Sequence, residues 1–280
     1  MVLVGVLLTL VAVVSLMLVC GTLLCIDREQ LRQTRRELRP RLILVAPSIA
    51  LLATVLILNS LTRRAAQSFS WLIGFNITND IYRVEGDFVP WLQTFATHEL
   101  TVYFSFIYLF GYVFLLVFPL LAYLALSDQR TLHELTIAYA ANYGLGLLCY
   151  VIFIAYGPRN MDIAAQLMYD FYPQSQFLTS AVNVNTNVFP SLHTSLSATV
   201  MIFAWHTREQ YPRWFLLAQV IGASVIVSTM YLGIHWLIDV IAGIVLAYAS
   251  VLIGQRYADD WRELTSVAPA TLARQVRHRF

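Results

Sequence analysis

The sequence predicts an all-α, polytopic membrane protein of about seven transmembrane helices, with interfacial helices in its outer loops. Three observations predict it. The 280-residue chain is 59% hydrophobic and 12% charged, whereas soluble domains carry about 25% charged residues. Several apolar runs approach or exceed the ~20 residues needed to cross a bilayer. No low-complexity linker or internal repeat divides the chain, so one integral domain accounts for residues 1–280.

The spans fall, in order, at about 2–26, 42–61, 101–126, 135–156, 193–206, 214–232 and 236–254. The first reads as a membrane helix and not as a cleaved leader. It lacks a basic leading region, its apolar run is too long, and no small-residue cleavage site follows. Between the first two spans lie Arg28, Arg32, Arg35, Arg36, Arg39 and Arg41, a cluster that resists translocation and is expected on the cytoplasmic side. Seven spans then put the N-terminus outside and the C-terminus inside. Fourteen of the eighteen basic residues fall on the inner side, and Arg63, Arg64, Arg83 and Arg159 remain outside. Every one of the eighteen is Arg, so any phosphate clamp is built from guanidinium groups or backbone amides.

This divides the chain into two N-terminal spans with their Arg-rich loop (1–61), an outer interfacial segment (62–100), a core (101–254) and a basic cytoplasmic tail (255–280). The outer segments 62–100 and 157–192 are long, and long loops in compact proteins are usually functional or disordered. Their aromatic content argues against disorder. Cys20, Cys25 and Cys149 all sit in apolar runs and read as packing residues. Asn76-Ile77-Thr78 is a glycosylation triplet of a kind frequent by chance. His98 and His133 read as interfacial, and residues 269–280 as lying on an anionic inner leaflet or disordered.

Ionisable groups near a span without an anchoring role mark candidate sites. Arg159, His193 and the pair His235 and Asp239 meet that description, and the charge-derived topology puts all four at the outer face. In "STMYLGIHWLIDVIAG" (228–243), His235 and Asp239 are four apart and share a helix face. An Asp so placed accepts a hydrogen bond from one imidazole nitrogen and leaves the other free as base or nucleophile. In "FPSLH" (189–193), Ser191 and His193 flank a helix start, where unpaired backbone amides attract anions. Taken singly, each feature has a structural reading. The His–Asp pair satisfies itself, Ser191 caps a helix, and Arg159 snorkels to headgroups. Taken together they supply a guanidinium, a helix start with a hydroxyl, and two histidines, one backed by a carboxylate. That set suits phosphoryl transfer without a metal. No carboxylate cluster suggests Mg²⁺ and no Walker-type glycine loop is present.

"FPSLH" and "STMYLGIHWLID" resemble the second and third signatures of the type 2 phosphatidic acid phosphatase superfamily, and "YGPRN" (156–160) resembles a reduced first one. The likeness is greatest to the branch of the inositol phosphorylceramide synthases. There Leu stands for Gly and Thr for Arg, as Leu192 and Thr229 do here. The resemblance implies a six-helix phosphatase-type core, with the first or second span as an addition. It implies His235 as nucleophile, Asp239 orienting it, and His193 protonating the leaving group. Arg159, Ser191 and Leu192 then form the phosphate cradle, with help from Arg63, Arg64 or Arg83 where the third-signature Arg is missing. It implies a lipid phosphate or phospholipid substrate taken from the bilayer, and no metal, cofactor or nucleic-acid partner. It leaves the oligomeric state open. Transfer of an inositol phosphate type headgroup to a lipid alcohol is the expected reaction. Hydrolysis of a lipid phosphate or polyprenyl diphosphate is the first alternative, and a transporter or lipid-binding protein with a His/Asp proton relay the second.

Overall fold

The computed structural model describes residues 2–176 and 185–277, with side chains for all of these except 2, 63–67 and 259–277. The architecture is all-α. Helices α1 (Val2–Cys25), α2 (Arg28–Arg36) and α3 (Leu38–Ile73) come first. A two-residue strand, β1 (Phe75–Asn76), and two short helices, α4 (Thr78–Glu85) and α5 (Phe88–Gln93), follow. Next, α6 (His98–Phe106) runs through a π-helical stretch, Ile107–Gly111, into α7 (Tyr112–Leu124). Helix α8 (Arg130–Ile152) leads to β2 (Phe153–Ile154), a 3₁₀ turn at Pro158–Met161 and α9 (Leu167–Phe171). Last come α10 (Leu192–His206), α11 (Pro212–Tyr231) and α12 (Leu237–Arg277), the last running on through the expected tail.

Among the described residues, six helices are long and apolar enough to cross a membrane: Leu3–Cys25, Leu38–Thr62, His98–Leu124, Arg130–Ile152, Pro212–Tyr231 and Leu237–Ala258. The remaining expected span is α10. Its 15 residues make about 22 Å of helix, short of a ~30 Å hydrocarbon core. It packs among α7, α8, α11 and α12 with Leu196, Val200, Phe203 and Ala204 fully buried. Depth is supplied by its neighbours, so this helix needs no lipid-facing length of its own.

The bundle is apolar outside and locally polar inside. Leu8, Val11, Leu16 and Leu23 on α1, Leu216 and Val220 on α11, and Val245 on α12 are exposed, as side chains in contact with lipid would be. Asn142, Ser195, Ser197, Thr199, Ser228 and Asp239 are fully buried. Polar side chains between helices hydrogen-bond across them: the Asn142 amide donates to the Thr199 hydroxyl (3.1 Å) and accepts from the Ser195 hydroxyl.

Contacts between loops sort the bundle into two ends. At one end the Arg41 guanidinium donates to the Leu124 and Leu126 carbonyls (2.8 and 2.6 Å), satisfying orphan acceptors at the end of α7. Arg213 there donates to the Leu24 carbonyl (2.9 Å). At the other end β1 pairs parallel with β2, Phe75 against Phe153, and Ala155 bridges to Asn187. Gln93 donates to the Ala165 and Tyr231 carbonyls (both 3.0 Å). The segment expected to be interfacial is thus part lengthened α3, part short helices folded over this second end. His98 opens α6 and packs edge-on against Phe171, and His133 Nδ1 meets the Ser48 hydroxyl at 3.0 Å. Asn76 turns its side-chain oxygen to the Thr78 N–H (3.1 Å).

Candidate active site

The site begins with a turn. After α11 the Ile234 and His235 N–H groups both donate to the Thr229 carbonyl at 3.0 Å. Gly233 sits at φ +71, a region that favours glycine because it has no Cβ. The loop after β2 docks on this turn. The Arg159 N–H donates to the Gly233 carbonyl (3.0 Å), and a Cβ on Gly157 would lie 2.1 Å from the Ile234 carbonyl oxygen. The "GPR" of the sequence is therefore a backbone docking device that delivers Arg159 beside His235.

His235 is 3% exposed and Asp239 fully buried. Asp239 Oδ2 accepts the Trp236 N–H (2.8 Å) and lies 3.5 Å from His235 Nδ1, an ion-pair distance longer than a hydrogen bond. Among the described residues neither His235 Nδ1 nor Asp239 Oδ1 has a hydrogen-bond partner. Such buried, unsatisfied groups require a reason, and a site that tightens on substrate supplies one. Burial first, and the Arg159 guanidinium second, hold the His235 ring below the usual imidazole range. A neutral ring keeps a nitrogen lone pair available.

His193 stands on the first turn of α10. Its ring lies between Tyr108 (centroids 4.6 Å apart) and Tyr112 (4.4 Å), the first inside the π-helical stretch and the second directly after it, a feature frequent at functional sites. The His193 and His235 centroids are 6.1 Å apart, so a single tetrahedral group between them is within reach of both. Ser191 caps α10, its hydroxyl accepting the Thr194 N–H at 3.3 Å. Its own N–H donates to the Asp239 carbonyl (3.0 Å), which ties the two halves of the site together. Tyr150 donates to the Pro190 carbonyl (3.1 Å) and steadies the approach.

Arg159 is 7% exposed. Its Nη2 donates to the Tyr169 hydroxyl (3.1 Å) and its guanidinium lies 4.6 Å from the Tyr169 ring centroid. Beside it opens a depression of about 570 Å³ lined by Arg159, Asp162, Gln166, Asp170 and their neighbours. The outer arginines considered as helpers fare differently. Arg83 is exposed and pairs with Asp80 at 3.4 Å. Arg63 and Arg64 lie on α3, with side chains outside the described residues. The Thr229 hydroxyl is tied back to the Ile226 carbonyl (2.7 Å) and offers no clamp of its own. Leu192 packs over Gly146 of α8, close enough that a Cβ there would lie 2.6 Å from a Leu192 methyl. Bulk at the signature position is thus matched by its absence on the facing helix.

Sequence reasoning missed Glu85, Tyr108, Tyr112, Tyr150 and Tyr169. Nothing in the sequence pattern sets these tyrosines apart from the chain's other aromatics. Glu85 lies 152 and 153 residues from its partners: its carboxylate accepts the Leu237 and Ile238 N–H groups (2.9 and 3.1 Å), filling the N-terminus of α12 in the same turn as Asp239. Burial raises its pKa most, opposed by those two amides. A carboxylate at this end is favoured by the helix dipole. Glu85→Ala should lower kcat about tenfold with little change in KM, about 1.4 kcal/mol of activation free energy, because the turn that carries Asp239 loses the carboxylate that holds it. Glu85→Gln should recover most of it. A fall in melting temperature with kcat intact would make Glu85 a cap and nothing more.

Comparison with known proteins bears on the whole assembly. A family model described as the PAP2 superfamily matches residues 82–253, well over half of the chain. The match starts at Tyr82 and takes in Glu85, whereas α1 to α3 precede it. An uncharacterized protein of Methanocaldococcus jannaschii is 27% identical over 150 residues, covering 52% of this chain and 57% of that protein. No solved structure matches.

Proposed function

The chain belongs to the PAP2 superfamily, and on that premise we propose that it is a lipid phosphoesterase or phosphotransferase working through a phosphohistidine. The family supports phosphatase-type chemistry on a lipid held in the bilayer. The observation that carries the finer reading is the spacing of four groups: His193 and His235 centroids 6.1 Å apart, Asp239 3.5 Å behind His235, and Arg159 bonded to the same turn.

His235 Nδ1 faces Asp239, so Nε2 is the nucleophile. In the first step Nε2 forms a bond to phosphorus as the bond to the leaving alkoxide oxygen breaks, and His193 gives that oxygen its proton. Asp239 stabilises the positive charge that grows on the His235 ring. Arg159 and the start of α10 at Ser191, Leu192 and His193 hold the phosphoryl oxygens, a preorganised oxyanion environment with water largely excluded. In the second step the acceptor attacks phosphorus, His193 takes the acceptor's proton, and the N–P bond breaks to restore His235. Acceptor identity is the difference between water, giving a phosphatase, and a lipid alcohol, giving a transferase. Leu192 and Thr229, which resemble the inositol phosphotransferase branch, favour the alcohol, with an inositol phosphate type headgroup as the transferred unit. Charge asymmetry favours an outward-facing site, with the N-terminus outside and the C-terminus cytoplasmic.

The test uses the purified protein with headgroup-labelled phospholipids or labelled lipid phosphates, with and without added lipid alcohol. Label trapped on protein in an acid-labile, base-stable form is the expected result, followed by a new labelled lipid. Label released only as phosphate or phosphoalcohol would assign the hydrolase. Turnover without any protein-bound label would remove the covalent mechanism.

A further inference from the structure

The end of the bundle away from the candidate site carries a second feature. Where α2 meets α3, a groove of about 650 Å³ is lined by Arg35, Arg36, Arg39, Leu42, Ile43 and Ala46 among others. The cations sit at the helix junction and the apolar side chains one to two turns further along α3. The nearby carboxylates are already engaged: Glu29 pairs with Arg32 (3.4 Å) and Glu37 with Arg41 (2.8 Å). Among the described residues no ion pair or hydrogen bond neutralises Arg35, Arg36 or Arg39. Leu42 and Ile43 are 42% and 64% exposed, so the apolar wall is open where acyl chains would lie.

We propose that this groove binds an anionic phospholipid, its phosphate on Arg35, Arg36 and Arg39 and an acyl chain along Leu42, Ile43 and Ala46. Charge complementarity selects the headgroup, since guanidinium groups pair phosphate oxygens bidentately. Continuity of the cationic and apolar walls selects a lipid over a free anion. Basic clusters at the entry of a membrane helix attract anionic lipid at roughly tenfold or less per charge. The site lies wholly in α2 and α3, before the family-matched residues, and is independent of the catalytic reading. It also sits one turn from Arg41, which fastens α3 to the end of α7. A bound lipid therefore braces the joint between the N-terminal helices and the core.

The experiment reconstitutes the full chain in nanodiscs of phosphatidylcholine with a minority of phosphatidylglycerol, then counts retained lipids by native mass spectrometry. Wild type should retain phosphatidylglycerol with at least about tenfold enrichment over its share of the bilayer. The triple variant Arg35→Gln, Arg36→Gln, Arg39→Gln should bring the enrichment to near unity. Ala46→Trp keeps every charge, and with it the orientation signal, but fills the groove, and should lose the lipid as well. Arg28→Gln with Arg32→Gln, on the same helix but outside the groove, should keep it. Enrichment that survives either groove variant, or that falls as far in the Arg28 and Arg32 control, would overturn the proposal in favour of diffuse surface charge.

Discussion

His235→Ala is expected to lower turnover of a lipid phosphate by at least about a thousandfold and to abolish label trapped on the protein. Removing a nucleophile costs far more than removing a positioning group, because no other side chain forms the covalent bond. The effect is expected on kcat, with substrate still held by Arg159 and the start of α10. The change should leave the bundle folded, since the turn is held by backbone groups of Thr229, Ile234 and His235, which the substitution keeps. Phosphate release and circular dichroism of the detergent-purified variant measure both halves of the expectation. Activity within tenfold of wild type would end the phosphohistidine reading.

Gly157→Ala should produce the second largest loss, about a hundredfold in kcat/KM, although residue 157 touches no substrate. A single Cβ there would stand 2.1 Å from the Ile234 carbonyl oxygen, inside any real contact distance, and both partners are backbone. The loop after β2 must then lift off the turn, and the Arg159 N–H loses its bond to Gly233. A displacement of about 1 Å at a positioning group is enough for a loss of that order. Because the guanidinium is delivered by this docking, the variant should resemble Arg159→Ala in kcat/KM. Combining the two substitutions should add little. Full additivity, or near-normal activity in Gly157→Ala, would show that Arg159 is placed by something other than this contact.

How much of this was legible beforehand follows from the range over which each interaction acts. Span positions, and the sharing of one face by His235 and Asp239, come from local periodicity and were readable to within a few residues. The helix start at Ser191 was legible from "FPSLH" and is found as a side-chain cap. The short length of α10 was legible as well, in a span placed at 193–206 and found at Leu192–His206; its shielding by four other helices was not, because its apolar pattern looks like that of a lipid-facing helix. Glu85 was invisible for a different reason. Its partners are backbone amides 152 and 153 residues away, and backbone amides leave no mark in a sequence. Tyr108 and Tyr112 resembled any other aromatics until the π-helical stretch turned both toward His193.

What the sequence determined by itself was a membrane-spanning, all-α chain, with most of its arginines expected at one end and the candidate site groups expected at the other. Transfer free energy and charge asymmetry act residue by residue and need no knowledge of neighbours. What only the tertiary structure decided was which of those groups meet. Gly157 against Ile234, Ser191 against Asp239 and Glu85 against the start of α12 are backbone approaches between distant segments. Their geometry depends on close packing of whole helices, and it is this packing that brings the His193 and His235 rings to 6.1 Å of each other.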